Sequence, residues 1–102
     1  MEEQTFSIRH VSAMSGVSIR TLRLYDEIGL LLPLVRTEAR YRLYGKNELL
    51  RLQQILFYKE LDIPLATIRK ILDNPAFDTL TALYHHHKEL LKKKDKIEKL
   101  LQ

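Results

Sequence analysis

The sequence predicts a mainly α-helical chain: a helix-turn-helix with a small two-stranded wing, four short helices in all, followed by a long C-terminal coiled-coil helix. Three observations predict it. Short amphipathic runs are punctuated by Gly16 and Gly29, a patch rich in aromatic and β-branched residues lies at 35–44, and leucines recur at helical spacing from Leu80 to the end.

Ser7 is placed to cap a first helix running to about Ser15, with Ile8, Val11 and Met14 on one face. Gly16 breaks it. Ser18 caps a second helix that runs to about Ile28, with Ile19 and Leu22 turned inward. Two short helices joined by a tight turn containing glycine form a helix-turn-helix corner. Gly29 ends the second helix and Pro33 prevents its immediate resumption. Val35 to Thr37 and Tyr41 to Tyr44 read as two short strands around Glu38, Ala39 and Arg40. A strand pair this short is a ribbon or wing, not an independent sheet.

From Lys46 to about Leu61 the period is helical again, with one stripe of Leu49, Leu52 and Leu56 and another of Leu50, Phe57 and Leu61. Two stripes imply two neighbours. Pro64 stands where a fourth helix would start, lined by Leu65, Ile68, Ile71 and Leu72, and Asp73, Asn74 and Pro75 stop it. Asp78 is placed to cap the last helix. Along it Leu80, Leu83, His87, Leu90, Lys94, Ile97 and Leu101 alternate at spacings of three and four, a heptad seam. A helix on the order of 35 Å long with one apolar seam needs a partner helix to bury it. The polar His87 and Lys94 on that seam would fix its register. The expected organisation is a winged helix-turn-helix domain over residues 1–75 and a dimerisation helix over 76–102.

Composition narrows the function classes. The chain has 102 residues, 45% of them hydrophobic, which argues against disorder and for one small domain. No apolar run approaches the roughly 20 residues that cross a bilayer, so no membrane partner is expected. MEEQTFS lacks the basic stretch and apolar block of a signal peptide, and the expected location is cytoplasmic. The absence of cysteine removes disulfides and thiolate metal sites. His85, His86 and His87 point about 100° apart on a helix and cannot converge on one ion. No metal or other cofactor is expected. No catalytic constellation and no phosphate-cradling glycine loop is visible, so the chain does not read as an enzyme.

The net charge is +4, and its distribution points to an anionic partner. Arginine dominates the first half: Arg9, Arg20, Arg23, Arg36, Arg40, Arg42 and Arg51. Its planar fork fits phosphate and guanine edges, whereas the lysines of the last helix read as a solvated face. Ser18, Arg20, Thr21 and Arg23 share the exposed face of the second helix and can offer donors to base edges and phosphates together. Arg36, Arg40 and Arg42 put cations in or beside a ribbon that can lie on a nucleic-acid backbone.

The segment VSIRTLRLYDEIGLLLP followed by RTEARYRLY resembles the amino-terminal domain of the MerR family, whose members share VS-x-x-TLR-x-Y(D/E)-x-x-GLL-x-P and then YR-x-Y. The resemblance runs on through LLRLQQILFYKEL and PLATIRKILD, and the tail DNPAFDTLTALYHHHKELLKKK is similar to the branch holding the thiostrepton-induced activator and its multidrug-responsive relatives. It implies a winged-helix homodimer joined by antiparallel long helices. The second helix would enter the major groove of double-stranded promoter DNA and the wing would follow the backbone. Regulation would come from distorting an overlong, pseudo-palindromic promoter spacer, with RNA polymerase an indirect partner on the same DNA. Tyr25 matches the family's tyrosine and is expected to reach a phosphate. Leu24 stands where a second tyrosine is frequent. Arg40 and Asp62 stand where relatives carry glycine: a turn needing positive φ would be strained by arginine, so either the wing turn differs or Arg40 adds a phosphate contact, or both, and the loop at Asp62 is expected to differ. Tyr41 is expected to pack the wing onto the body, with a backbone contact. The alternatives are a protein-interaction module working through the last helix and a winged-helix recombination directionality factor.

Overall fold

The computed structural model describes residues 4–102. Its elements are β1 (Phe6–Ser7), α1 (Ile8–Ser15), α2 (Ile19–Glu27), β2 (Val35–Arg36), β3 (Arg42–Tyr44), α3 (Lys46–Glu60), α4 (Leu65–Asp73) and α5 (Thr79–Leu100). The chain is mainly helical, with four short helices, a wing and a long last helix, as the sequence predicts.

The caps act where the sequence puts them. Ser7 Oγ accepts from His10 N at 3.2 Å, Ser18 Oγ accepts from Thr21 N at 3.0 Å, and an Asp78 carboxylate oxygen accepts from Thr81 N at 3.0 Å. At the start of α3, Glu48 Oε1 instead reaches back to accept from Gly45 N at 2.9 Å.

The wing has an addition. Strand β3 pairs antiparallel with β2 and also with β1, giving a three-stranded sheet in the order β1-β3-β2. Phe6 lies opposite Tyr44, and Ser7 opposite Leu43. Two residues carry no alternation to read, so β1 left no periodic trace in the sequence. Tying the hairpin to the N-terminus of α1 makes the wing's inner strand central to its sheet.

The chain divides into two compact units, one ending at Leu65 and the other running from Ala66 to Gln102. This division falls at the start of α4, ahead of the expected boundary after residue 75. In the first unit Val11, Leu22, Tyr25, Leu30, Leu31, Tyr44, Leu52, Ile55 and Ile63 are buried. Of the two stripes on α3, the one around Leu52 is turned inward. The other stripe, Leu50, Phe57 and Leu61, is exposed. In the second unit Ile68 of α4 is buried, and α5 has no buried residue among its 22.

Candidate nucleic-acid interface

The interface is built from the turn before α2. Gly16 has φ +77°, a left-handed conformation that closes α1, and its N–H donates to Ser12 O at 2.9 Å. A Cβ there would meet nothing within 4 Å, so backbone conformation and not space selects glycine. Ser18 then starts α2. Its hydroxyl accepts from Thr21 N and donates to Thr21 Oγ1 at 2.9 Å. Both hydroxyls therefore serve the helix terminus first.

Helix α2 is two-faced at its 100° period. Leu22, Tyr25 and Asp26 are buried, while Arg20, Arg23, Leu24 and Glu27 are exposed and Thr21 is half-buried. With Ile19 these outward residues line one shallow groove along the helix. Among the described residues no ion pair engages Arg20 or Arg23. Gly29, at φ +73°, donates to Asp26 O at 3.1 Å, and Leu30 N donates to Tyr25 O at 2.8 Å. This paired closure turns the chain sharply from α2 toward the wing. Arg51 Nε, from α3, donates to Leu30 O at 2.7 Å and secures the segment after the turn.

The wing turn keeps its conformation despite lacking glycine. Arg40 sits at φ +64°, its N–H donates to Thr37 O at 2.8 Å, and Thr37 N donates to Tyr41 O at 2.9 Å. That is a three-residue hairpin loop whose last position is left-handed, a position usually given to glycine. The turn at Arg40 is therefore left-handed, a conformation in which arginine is strained. The same holds for Asp62 at φ +59°: its N–H donates to Lys59 O at 2.9 Å and Ile63 N to Tyr58 O at 3.2 Å, closing α3 in the usual way.

Several expected contacts are placed differently. Arg36 and Arg42, expected as cations open to a backbone, both bind Asp26. Arg42 Nε donates to Asp26 Oδ2 at 2.7 Å and Arg36 Nη2 donates to Oδ1. Burial pushes the Asp26 carboxyl up, but the hydrogen bonds and charges of Arg42 and Arg36 outweigh it and hold it below its ordinary value. Arg36 keeps 55% of its side chain exposed and Arg42 25%, so Arg36 is the more accessible of the two. Tyr25, expected to reach a phosphate, is 1% exposed, and its hydroxyl accepts from Lys59 Nζ at 3.2 Å. Its ring fills the core because position 25 follows Leu22 by three on the inward face. Tyr41, expected to pack the wing onto the body, is 69% exposed, and Tyr44 is the wing tyrosine that is buried. Strand alternation explains the exchange: Tyr41 precedes β3 at the turn, and Tyr44 lies in the register that faces inward.

Sequence reasoning missed two participants. Asp26 follows Leu22 by four residues, so the helical period places it on the inward face, and a carboxylate there needs a cation. Lys59 carried no signal beyond its charge.

The second unit carries the other candidate surface. Leu80, Leu90, Ile97 and Leu101 are exposed, together with His87 and Lys94, and Leu83 is half-buried. Tyr84 and Leu91, also exposed, widen the stripe beyond the seam read from the sequence. Lys88 Nζ lies 4.8 Å from the Tyr84 ring centroid. Among the described residues no three His, Cys, Asp or Glu side chains gather as a metal site, and no helix is long and apolar enough to cross a membrane.

The profile of the MerR HTH family regulatory proteins matches residues 6–75. The chain belongs to the MerR family. The HTH-type transcriptional activator mta of Bacillus subtilis is 46% identical over 95% of this chain. The activator TipA of Streptomyces coelicolor is 43% identical over 94% of it. The chain spans 38% of the length of each of these relatives. The solved structure of MtaN, the N-terminal part of the B. subtilis multidrug transporter activator, superposes with a TM-score of 0.86 over 95% of this chain and 92% of that one, at 46% identity. HiNmlR, a MerR family regulator lacking the sensor domain and solved bound to promoter DNA, shares the fold with a TM-score of 0.68 at 21% identity over 96% of this chain and 82% of that one. The MerR membership accounts for the helix-turn-helix, the wing and the long last helix together.

Proposed function

We propose that this chain is the sequence-specific, double-stranded-DNA-binding and dimerisation part of a MerR-family transcription regulator. Its DNA-contacting residues are Ser18, Arg20, Thr21, Arg23, Arg36, Arg40, Tyr41 and Arg42, with Tyr25 acting at most through its hydroxyl edge beside Lys59. The observation that carries the reading is the outward face of α2, where Arg20 and Arg23 stand exposed beside a wing that displays Arg40. A helix of this kind fits the major groove and offers bidentate donors to guanine edges, while wing cations meet phosphates. Two copies joined through antiparallel α5 helices would read a pseudo-palindromic promoter. Their separated contacts would offset the few kcal/mol needed to bend or untwist its spacer, with RNA polymerase responding to the altered DNA. The names of mta and TipA, both transcriptional activators, support this direction.

The test is a mobility shift on a duplex selected from random sequence by the chain itself. Binding should fall steeply with salt, because phosphate contacts release counterions. Arg20→Ala with Arg23→Ala should abolish preference for the selected duplex while leaving the oligomeric state intact. Equal affinity for every duplex, or binding unchanged by the double substitution, overturns the proposal.

A further inference from the structure

We infer that Asp26 is a positioning residue for sequence recognition: its buried carboxylate gathers Arg36 and Arg42 and so fixes the wing beside α2, raising preference for the specific duplex although it adds negative charge next to DNA. The inference rests on the DNA-binding reading above.

Asp26 is the buried charged residue among the described ones, at 6% exposure, and lies on the same helix as Arg20 and Arg23. Its two partners come from different strands of the wing. They are also register partners: Arg36 lies directly opposite Arg42 across β2 and β3. Like charges directly opposite on a strand pair repel and destabilise the ribbon. Here each of the two carboxylate oxygens takes one of them. The carboxylate thus relieves the repulsion and ties both strands to α2 in one step.

The cost in charge makes the inference decidable. Asp26 with Arg36 and Arg42 carries a net +1, and asparagine at position 26 would make it +2. If charge alone mattered, Asp26→Asn would tighten binding to every duplex. If Asp26 sets geometry, the substitution loosens the wing and lowers affinity for the selected duplex while leaving or improving affinity for unrelated DNA.

The experiment measures Kd of wild type and Asp26→Asn for the selected duplex and for a scrambled duplex of the same length and composition, at one salt concentration. The expected result is a ratio of the two affinities reduced by roughly tenfold or more, the scale of one well-placed specific contact. A ratio equal to wild type, with both affinities moved together, overturns the inference. Should Asp26→Asn lose its helical circular-dichroism signal, Arg36→Gln decides instead, since Asp26 then keeps Arg42. Arg36→Gln should weaken the selected duplex more than the scrambled one, and an equal loss on both overturns the inference. A wild-type chain that prefers no duplex defeats the DNA reading and this inference together, whereas a preference that Asp26→Asn preserves defeats only this one.

Discussion

Arg40 shows how a single position can carry opposed demands. A non-glycine residue in the left-handed region costs about 1–2 kcal/mol, part of which glycine returns as lost chain entropy. Arg40→Gly should therefore stabilise the fold by about 0.5–1 kcal/mol in chemical or thermal unfolding. The same change removes a wing cation, so DNA affinity should drop across all sequences and the salt slope should shrink by about 0.9. A variant that is both more stable and equally tight on DNA would show that Arg40 makes no phosphate contact. Asp26 gives the second prediction at this scale. Its folded-state pKa is depressed from the ordinary 3.8, so its contribution to stability is fully present above that value and is lost as pH falls through the folded-state value. The guanidinium groups of Arg36 and Arg42 face it, and burial pushes the Tyr44 phenol above its ordinary range, so it stays neutral. Melting temperatures of wild type and Asp26→Asn measured from about pH 5 to about pH 2 should converge as acid removes the carboxylate's advantage. Curves that run parallel across that window would contradict the assignment.

At the scale of elements, α2 depends on its first residue. Ser18 Oγ satisfies the N–H of Thr21, one of the four donors a helix start leaves open. Ser18→Ala should cost about 1 kcal/mol, and Ser18→Gly only a few tenths, because glycine leaves the terminus open to water. A similar loss for both would point to a role of the hydroxyl other than capping. The contrast between caps and clamps explains what the sequence discloses. Ser7, Ser18 and Asp78 cap the helices they precede, because capping is a local contract between residues three apart. The helical period likewise marks Val11, Leu22 and Leu52 as interior. What stayed hidden is long-range. Arg36 and Arg42 look like open cations until the fold brings Asp26, ten and sixteen residues away, between them. Tyr25 carries the same hydroxyl whether it faces solvent or core. Only the period of its own helix argues for the core, and the family motif drew attention to its polar end. Strand β1 is too short to show any alternation, so only its pairing with β3 reveals it.

At the scale of the whole molecule, α5 presents an apolar stripe to solvent. It spans 22 residues with none buried, and Leu80, Leu90, Ile97 and Leu101 lie exposed along one side with Tyr84 and Leu91 beside them. Each leucine or isoleucine moved from water into a helix–helix seam contributes roughly 1.5–3 kcal/mol. A second α5 laid antiparallel would bury this stripe and join two recognition helices into one bridge. Two heads on one bridge bind as a linked pair: once the first is seated, the second meets its half-site at an effective concentration near millimolar. Seam strength should therefore appear as DNA affinity even though the seam residues are not among the proposed DNA contacts. Leu90→Lys places a charge at the middle of the stripe, where a partner helix would leave it no water. Sedimentation equilibrium should find wild type as a dimer and Leu90→Lys as a monomer, with the melting temperature of wild type rising with protein concentration and that of the variant flat. On a two-half-site duplex the variant should lose on the order of a hundredfold in affinity, while on a single half-site the two proteins should bind alike. A monomeric wild type, or a variant that keeps full two-site affinity, would leave the exposed stripe to some other partner and break the link between α5 and promoter recognition.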